Sequence, residues 1–142
     1  MISAVKEVFL ERDGWQAMLD HHHQVFSSLQ PGAGIGILPK TEFDSPEGEM
    51  LAWEAASGRL TAEYRTFKGF QEAGVDLLFV VDDEALEEIL NKAKEDPFAK
   101  MKQLIRNGNI VFYSMRAQNE LLDLGFEDLI DVLGLPFQGA CR

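Results

Sequence analysis

The chain has 142 residues, a net charge of -11 from 24 acids against 13 bases, and 10 phenylalanines within a 46% hydrophobic composition. A domain of that length hides roughly two thirds of the surface its unfolded chain exposes, so it needs neither a metal nor a disulfide to hold a core. Residues 1–142 therefore read as a single domain. A surface this negative repels phosphate backbones and anionic bilayers, which excludes nucleic acid as a partner.

No apolar run approaches the roughly 18 residues of a membrane span, so no integral membrane segment is expected. The first residues, MISAVKEVFLERDGW, lack a basic stretch followed by a clean apolar one, so no secretory signal is expected either. Cys141 is the one cysteine and has no intramolecular partner. These features together predict a cytoplasmic protein.

Residues 3–29 have helical spacing with an interruption at Gly14. Val5, Val8 and Phe9 share one face. Beyond Gly14 the stripe is Trp15, Met18, Leu19, His22, Val25, Phe26 and Leu29, with the steps of a 3.6-residue period. Gln30-Pro31-Gly32 stops it. Residues 34–38 (GIGIL) form a short apolar strand, and 41–49 (TEFDSPEGE) read as a loop. Residues 50–55 and 59–66 pair as a hairpin about Ser57-Gly58. In the second arm Leu60, Ala62, Tyr64 and Thr66 alternate with Arg59, Thr61, Glu63 and Arg65, the period of a half-buried antiparallel strand.

VDLLFVV (75–81) is a branched, aromatic, nearly all-apolar strand. Asp82 and Asp83 cap the helix that follows, with Leu86, Ile89, Leu90 and Ala93 on one face and Glu88 placed to pair with Lys92. Pro97 opens a second helix presenting Phe98, Met101, Leu104 and Ile105. Asn107-Gly108-Asn109 ends it, Ile110–Met115 is another strand, and helix resumes from Ala117. Gly125 kinks or divides this last stretch, and the stripe continues through Phe126, Leu129, Ile130 and Leu133. The fold class is α+β: a curved, mainly antiparallel sheet of about five strands, with helices packed on one face. The other face calls for a lid, solvent or a second copy, so a homodimer is a candidate assembly.

Chemistry-bearing patterns are few. His21, His22 and His23 are consecutive on a helix and point about 100° apart, so they cannot converge on one metal. His22 on the apolar stripe reads as a core or interface histidine, and a small enzyme using the His21–His23 region is the alternative. The glycines of 32–36 follow a helix and precede no lysine-serine pair, unlike a phosphate loop. The acids of 42–49 lack the calcium-loop pattern. Thus no catalytic residue, metal or cofactor is assigned. From Pro97 to Arg116 the chain has four bases and no acids. Those bases either neutralise acidic neighbours or meet an acidic partner or, through Lys102, Arg106 and Arg116, an anionic head group.

Trp15, Phe26, Trp53, Phe79, Phe98, Met101, Phe112, Phe126, Leu129, Leu133 and Phe137 can share one interior. They either pack as a core or border a cavity for an apolar molecule. At about 0.8 kcal/mol per buried CH₂, such a ligand needs no polar motif.

Three stretches resemble the sterol carrier protein domain over about residues 50–124. MLAWEAASGRLTAEYR looks like that family's central strand pair, and VDLLFVVDDEALEEIL like its strand running into an acid-capped helix. DPFAKMKQLIRNGNIVFYSMRAQNELL looks like its short helix, next strand and the start of its last helix. The resemblance implies an open five-stranded sheet with helices around an apolar tunnel, and noncovalent binding or transfer of a lipid or other apolar small molecule. It carries over no catalytic residue. The implied pocket positions are Phe98, Met101, Ile105, Phe112 and Leu121, to which the later stripe adds Phe126, Leu129 and Leu133. Residues 126–142 lie past the family's usual core and read as a lid or a dimer-packing extension. A homodimeric interaction or regulatory module without ligand is the other alternative.

Overall fold

A computed structural model describes residues 12–43, 48–56, 59–67, 69, 74–92 and 95–134. The expectations that rest on Val5, Val8, Phe9, Phe137 and Cys141 lie outside these residues. Helix α1, Arg12–His21, runs without a break through Gly14. The interruption predicted there does not occur within these bounds. An interior glycine costs a helix roughly 1 kcal/mol, and the burial of Trp15, Met18 and Leu19 along one face offsets it. After His21 the chain tightens into a 3-10 turn, His23–Phe26.

Strand β1 is Gly34–Pro39. The region expected to be loop begins instead with one helical turn, α2, Lys40–Phe43. Strands β2, Gly48–Ala56, and β3, Arg59–Phe67, form the predicted hairpin. Strand β4 is Leu77–Val81, followed by helix α3, Asp83–Asn91. Helix α4, Pro97–Asn107, has Pro97 at its first position and Asp96 as cap, its carboxylate accepting from Ala99 N at 2.9 Å. Strand β5 is Ile110–Ser114. Helices α5, Gln118–Asp123, and α6, Glu127–Leu133, are separated by a turn containing Gly125.

The strands form one open five-stranded sheet in the order β3-β2-β1-β4-β5. Three neighbouring pairs are antiparallel and the central pair, β1 with β4, is parallel. The protein is thus α+β with a mainly antiparallel sheet. Every residue of β1 is buried, as a central strand covered on both faces requires. Ile35 and Ile37 face the helices, while Leu38 joins the cluster on the opposite face. Gly36 also lies against that second cluster. A Cβ on it would stand 2.7 Å from Met50 Sδ and 2.9 Å from a Leu78 methyl, so any other residue requires these side chains to move.

The larger core lies between the sheet and the helices. It joins Trp15, Met18 and Leu19 of α1 to Leu51, Trp53, Phe79 and Val81 of the sheet, and to side chains from α3 through α6. The second cluster, Leu38, Met50, Ala52, Phe67, Val75, Leu78 and Val80, is also buried within one chain. This central part of the second face therefore needs neither solvent nor a second copy to cover it. Among the described residues exposure grows toward the two edges of this face, at Val111 and Tyr113 of β5 and at Glu63 of β3.

Polar contacts close the margins. The Gln16 carboxamide acts as a strand partner for edge strand β3. Its Nε2 donates to Leu60 O at 2.9 Å and its Oε1 accepts from Ala62 N at 2.8 Å. Asp76 is the one buried charged residue among those described. It accepts from Gly34 N and from Arg116 Nε, each at 2.9 Å, tying the start of β1 to the end of β5.

Candidate functional site

The eight positions expected to border a pocket share one cluster. Phe98, Met101, Leu121, Phe126, Leu129 and Leu133 are buried in it, and Ile105 and Phe112 pack against it half-buried. The sequence brings them together through ordinary periodicity. Phe98, Met101 and Ile105 are spaced by three and four on α4, and Phe126, Leu129 and Leu133 repeat that spacing across the start of α6. Phe112 comes from β5, where it lies opposite Phe79 in the ladder with ring centroids 6.3 Å apart.

The side chains nearest these form a seam of rings across the helical side of the sheet. Trp15 and Trp53 stand 6.3 Å apart, Trp53 and Phe26 6.3 Å, and Phe26 and Phe98 5.6 Å. The seam ends at His22, whose ring meets Phe98 edge-on at 5.4 Å. All these spacings suit tilted or edge-to-face aromatic pairs. His22 is half-buried and His21 exposed, so the seam leads from the middle of the sheet to the surface.

The three histidines were expected on one helix, but the helix ends at His21, and His22 and His23 lie at the start of the 3-10 turn. His22 points to Phe98, His21 meets the edge of His22 at 4.7 Å, and His23 Nδ1 lies 3.2 Å from Asp20 O. Among the described residues no group of three or more His, Cys, Asp or Glu side chains is placed to hold a metal ion.

The predicted bases do not gather. Arg116 is committed to Asp76, whose hydrogen bond and charge raise the arginine above its ordinary proton affinity and keep it a cation. Lys102 and Arg106 lie one turn apart on α4, half-exposed and exposed. Arg106 is near the α4–β5 connection, whereas Arg116 follows the far end of β5, so about five residues of strand, roughly 16 Å, separate those two levels. Lys100 pairs with Glu88 at 3.7 Å. This contact replaces the expected Glu88–Lys92 pair, since Lys92 turns to Glu95 at 3.6 Å. Asp82 likewise departs from the expected capping role. Its carboxylate accepts from Asn109 Nδ2 at 2.9 Å and fastens the end of β4 to the start of β5. Part of the basic run therefore neutralises local acids.

Arg65 sits between Glu54 and Glu63 on the outer face of the hairpin. Burial lowers its proton affinity, but the two carboxylates more than compensate, leaving a net rise. Two open depressions bordered by charged residues flank α3. One, of about 370 Å³, lies at the carboxyl ends of β1 and β4 beside Lys40, Asp82, Glu84, Glu88 and Asn109. The other, of about 350 Å³, lies between Lys92, Glu95, Lys100 and Gln103. Their acids and bases are partly paired with each other, and neither adjoins the aromatic seam.

Sequence reasoning overlooked a polar feature inside the apolar cluster. The indole Nε1 of Trp15 and that of Trp53 are both buried and meet no acceptor among the described residues. Helical and strand periodicity place both rings inside, but periodicity has no information about the surroundings of a single N–H group.

No protein-family model matches the chain. No curated protein matches it either. Among solved structures it is similar to the solution structure of a conserved hypothetical protein from Thermus thermophilus, described as a candidate sterol carrier protein. The two are 13% identical, the alignment covers 86% of this chain and 82% of that one, and the TM-score is 0.45.

Proposed function

We propose that the protein binds an apolar small molecule noncovalently on the helical side of its sheet. The aromatic seam from half-buried His22 to the Trp15–Trp53 pair carries this reading. Its flat rings meet edge-on and tilted and give a continuous apolar wall from the sheet to the surface. Above the seam, α5 and α6 have only six and seven residues and are joined at Gly125. Helices so short have little stability of their own. This corner can therefore open at lower cost than the sheet, and α6 serves as the lid. The resemblance of residues 50–124 to the sterol carrier domain points the same way.

A twelve-carbon chain buried in such a site gains about 9 kcal/mol from its methylenes. Losses on association take several kcal/mol of this gain, so detectable binding needs most of the chain buried. Native mass spectrometry of freshly purified protein, followed by denaturing extraction, should release a copurified apolar molecule. A fluorescent fatty acid should bind and be displaced by unlabelled alkyl compounds. No extracted molecule, together with no binding of the fluorescent probe at about 100 μM, would remove the reading.

A second reading, self-association, rests on the exposed apolar side chains of edge strand β5, with Val111 48% and Tyr113 36% accessible. Equilibrium sedimentation should give twice the chain mass of 15.9 kDa. A concentration-independent mass of one chain would dismiss it, and Val111→Lys should lower the association if it occurs.

A further inference from the structure

The inner end of the seam holds both tryptophans of the chain. Trp15 is 0% and Trp53 1% exposed, and each indole N–H lacks an acceptor among the described residues. An indole nitrogen can only donate, and buried tryptophans ordinarily find a partner. A donor removed from water without a new acceptor forfeits its hydration. Two such donors, one from α1 and one from β2 with ring centroids 6.3 Å apart, are polar groups inside an otherwise apolar cluster.

We infer that the bound molecule carries a neutral oxygen acceptor, a ketone, ester or hydroxyl, which receives a hydrogen bond from Trp15 or Trp53. Its hydrocarbon part lies along the seam past Phe26 toward Phe98. The inference rests on the apolar-ligand reading above and assigns the polar end of that ligand. Neutrality follows from the surroundings. The pair sits in a cluster with Met18, Leu19, Phe26 and Leu51, all buried and apolar. Arg116 is held by Asp76, while Lys102 and Arg106 reach the surface. A carboxylate carried to the indole pair would lose its water without gaining a cation, a far larger penalty than a carbonyl meets. The net charge of -11 opposes an anion further.

The chain has two tryptophans, so an ¹⁵N-labelled sample shows two indole N–H resonances. The wild-type protein is titrated with 2-dodecanone and, separately, with dodecane, and affinity is measured for each. Both should bind, with the ketone about three- to tenfold tighter, the usual worth of one neutral hydrogen bond. At least one indole proton should move downfield with the ketone and stay in place with the alkane. In Trp15→Phe or Trp53→Phe the ketone-to-alkane affinity ratio should fall toward one. The resonance shift in the wild-type protein decides the matter even where a variant fails to fold.

Equal affinities with both indole resonances unmoved would overturn the inference while leaving apolar binding intact. Cross-peaks from both indole protons to a trapped water, persisting with ketone bound, would also overturn it, because water would then be the acceptor. Failure of both molecules to bind would overturn the apolar-ligand reading and this inference with it.

Discussion

Gly125→Ala should destabilise the protein by about 3–5 kcal/mol, whereas Gly108→Ala should cost only about 1–2 kcal/mol. Both glycines hold left-handed backbone, with φ of 90° and 85°. A non-glycine residue pays for that conformation at either site. The surroundings differ. A Cβ on Gly108 would meet nothing within 4 Å, but a Cβ on Gly125 would lie 1.9 Å from Ser28 O and 2.6 Å from its carbonyl carbon.

No side-chain rotation relieves a collision with backbone. The segment after the 3-10 turn would have to lift away from the α5–α6 connection. That movement endangers two hydrogen bonds, Gln30 N to Leu124 O at 2.8 Å and Ser28 Oγ to Gly125 O at 2.9 Å, each worth about 1 kcal/mol. Urea unfolding of the two variants separates the common backbone strain from the collision. Equal losses would show that residues 28 and 125 do not approach closely in solution.

That contact also marks where sequence reasoning ends. The alternation of Leu60, Ala62 and Tyr64 with charged residues is a local pattern, and it identified the hairpin partner β3. Asp96-Pro97 likewise announced the start of α4. Gly125 was legible as a break, since it interrupts two apolar stripes, but its nearest neighbour lies 97 positions earlier. The parallel pairing of β1 with β4 is similarly nonlocal, because two intervening strands place β2 on one side of β1 and leave the other side to β4. Competition among partners explains the misread charges. Glu88 has Lys92 one helical turn away, yet a packed neighbouring helix offers Lys100, and helix packing decides which cation it meets.

For the site, the membership of the apolar cluster was legible because burial follows periodicity. Phe98 and Met101 share a helical face, and Phe126, Leu129 and Leu133 share another. The polar spot within it was not. Trp15 and Trp53 are recognisable as interior residues, but the absence of an acceptor depends on every atom around two nitrogens. The spread of Lys102, Arg106 and Arg116 had the same origin, since the partner of Arg116 is Asp76, forty residues away.

Phe98→Ala should cost about 3–5 kcal/mol, Phe98→Leu about 1–2 kcal/mol, and Val132→Ala no more than about 0.5 kcal/mol. Phe98 is 3% exposed and links the two halves of the seam, with Phe26 on one side and His22 on the other. Alanine removes the ring and leaves a hole between helices and sheet that neighbouring side chains fill only in part. Leucine restores much of the apolar volume but not the ring edges. Val132 on α6 is 38% accessible and gives the baseline for a small truncation in the same layer.

The same variants test where the ligand lies. A ligand that binds only the folded protein raises stability by about 2.7 kcal/mol at one hundred times its Kd. Under a fixed concentration of 2-dodecanone that gives this rise in the wild-type protein, Phe98→Ala should recover less, because the ring that borders the hydrocarbon is gone. Val132→Ala should recover the full amount. An undiminished rise in Phe98→Ala would place the bound chain away from the seam. The site would then have to be sought on another part of the cluster, even though the loss of stability without ligand still stood.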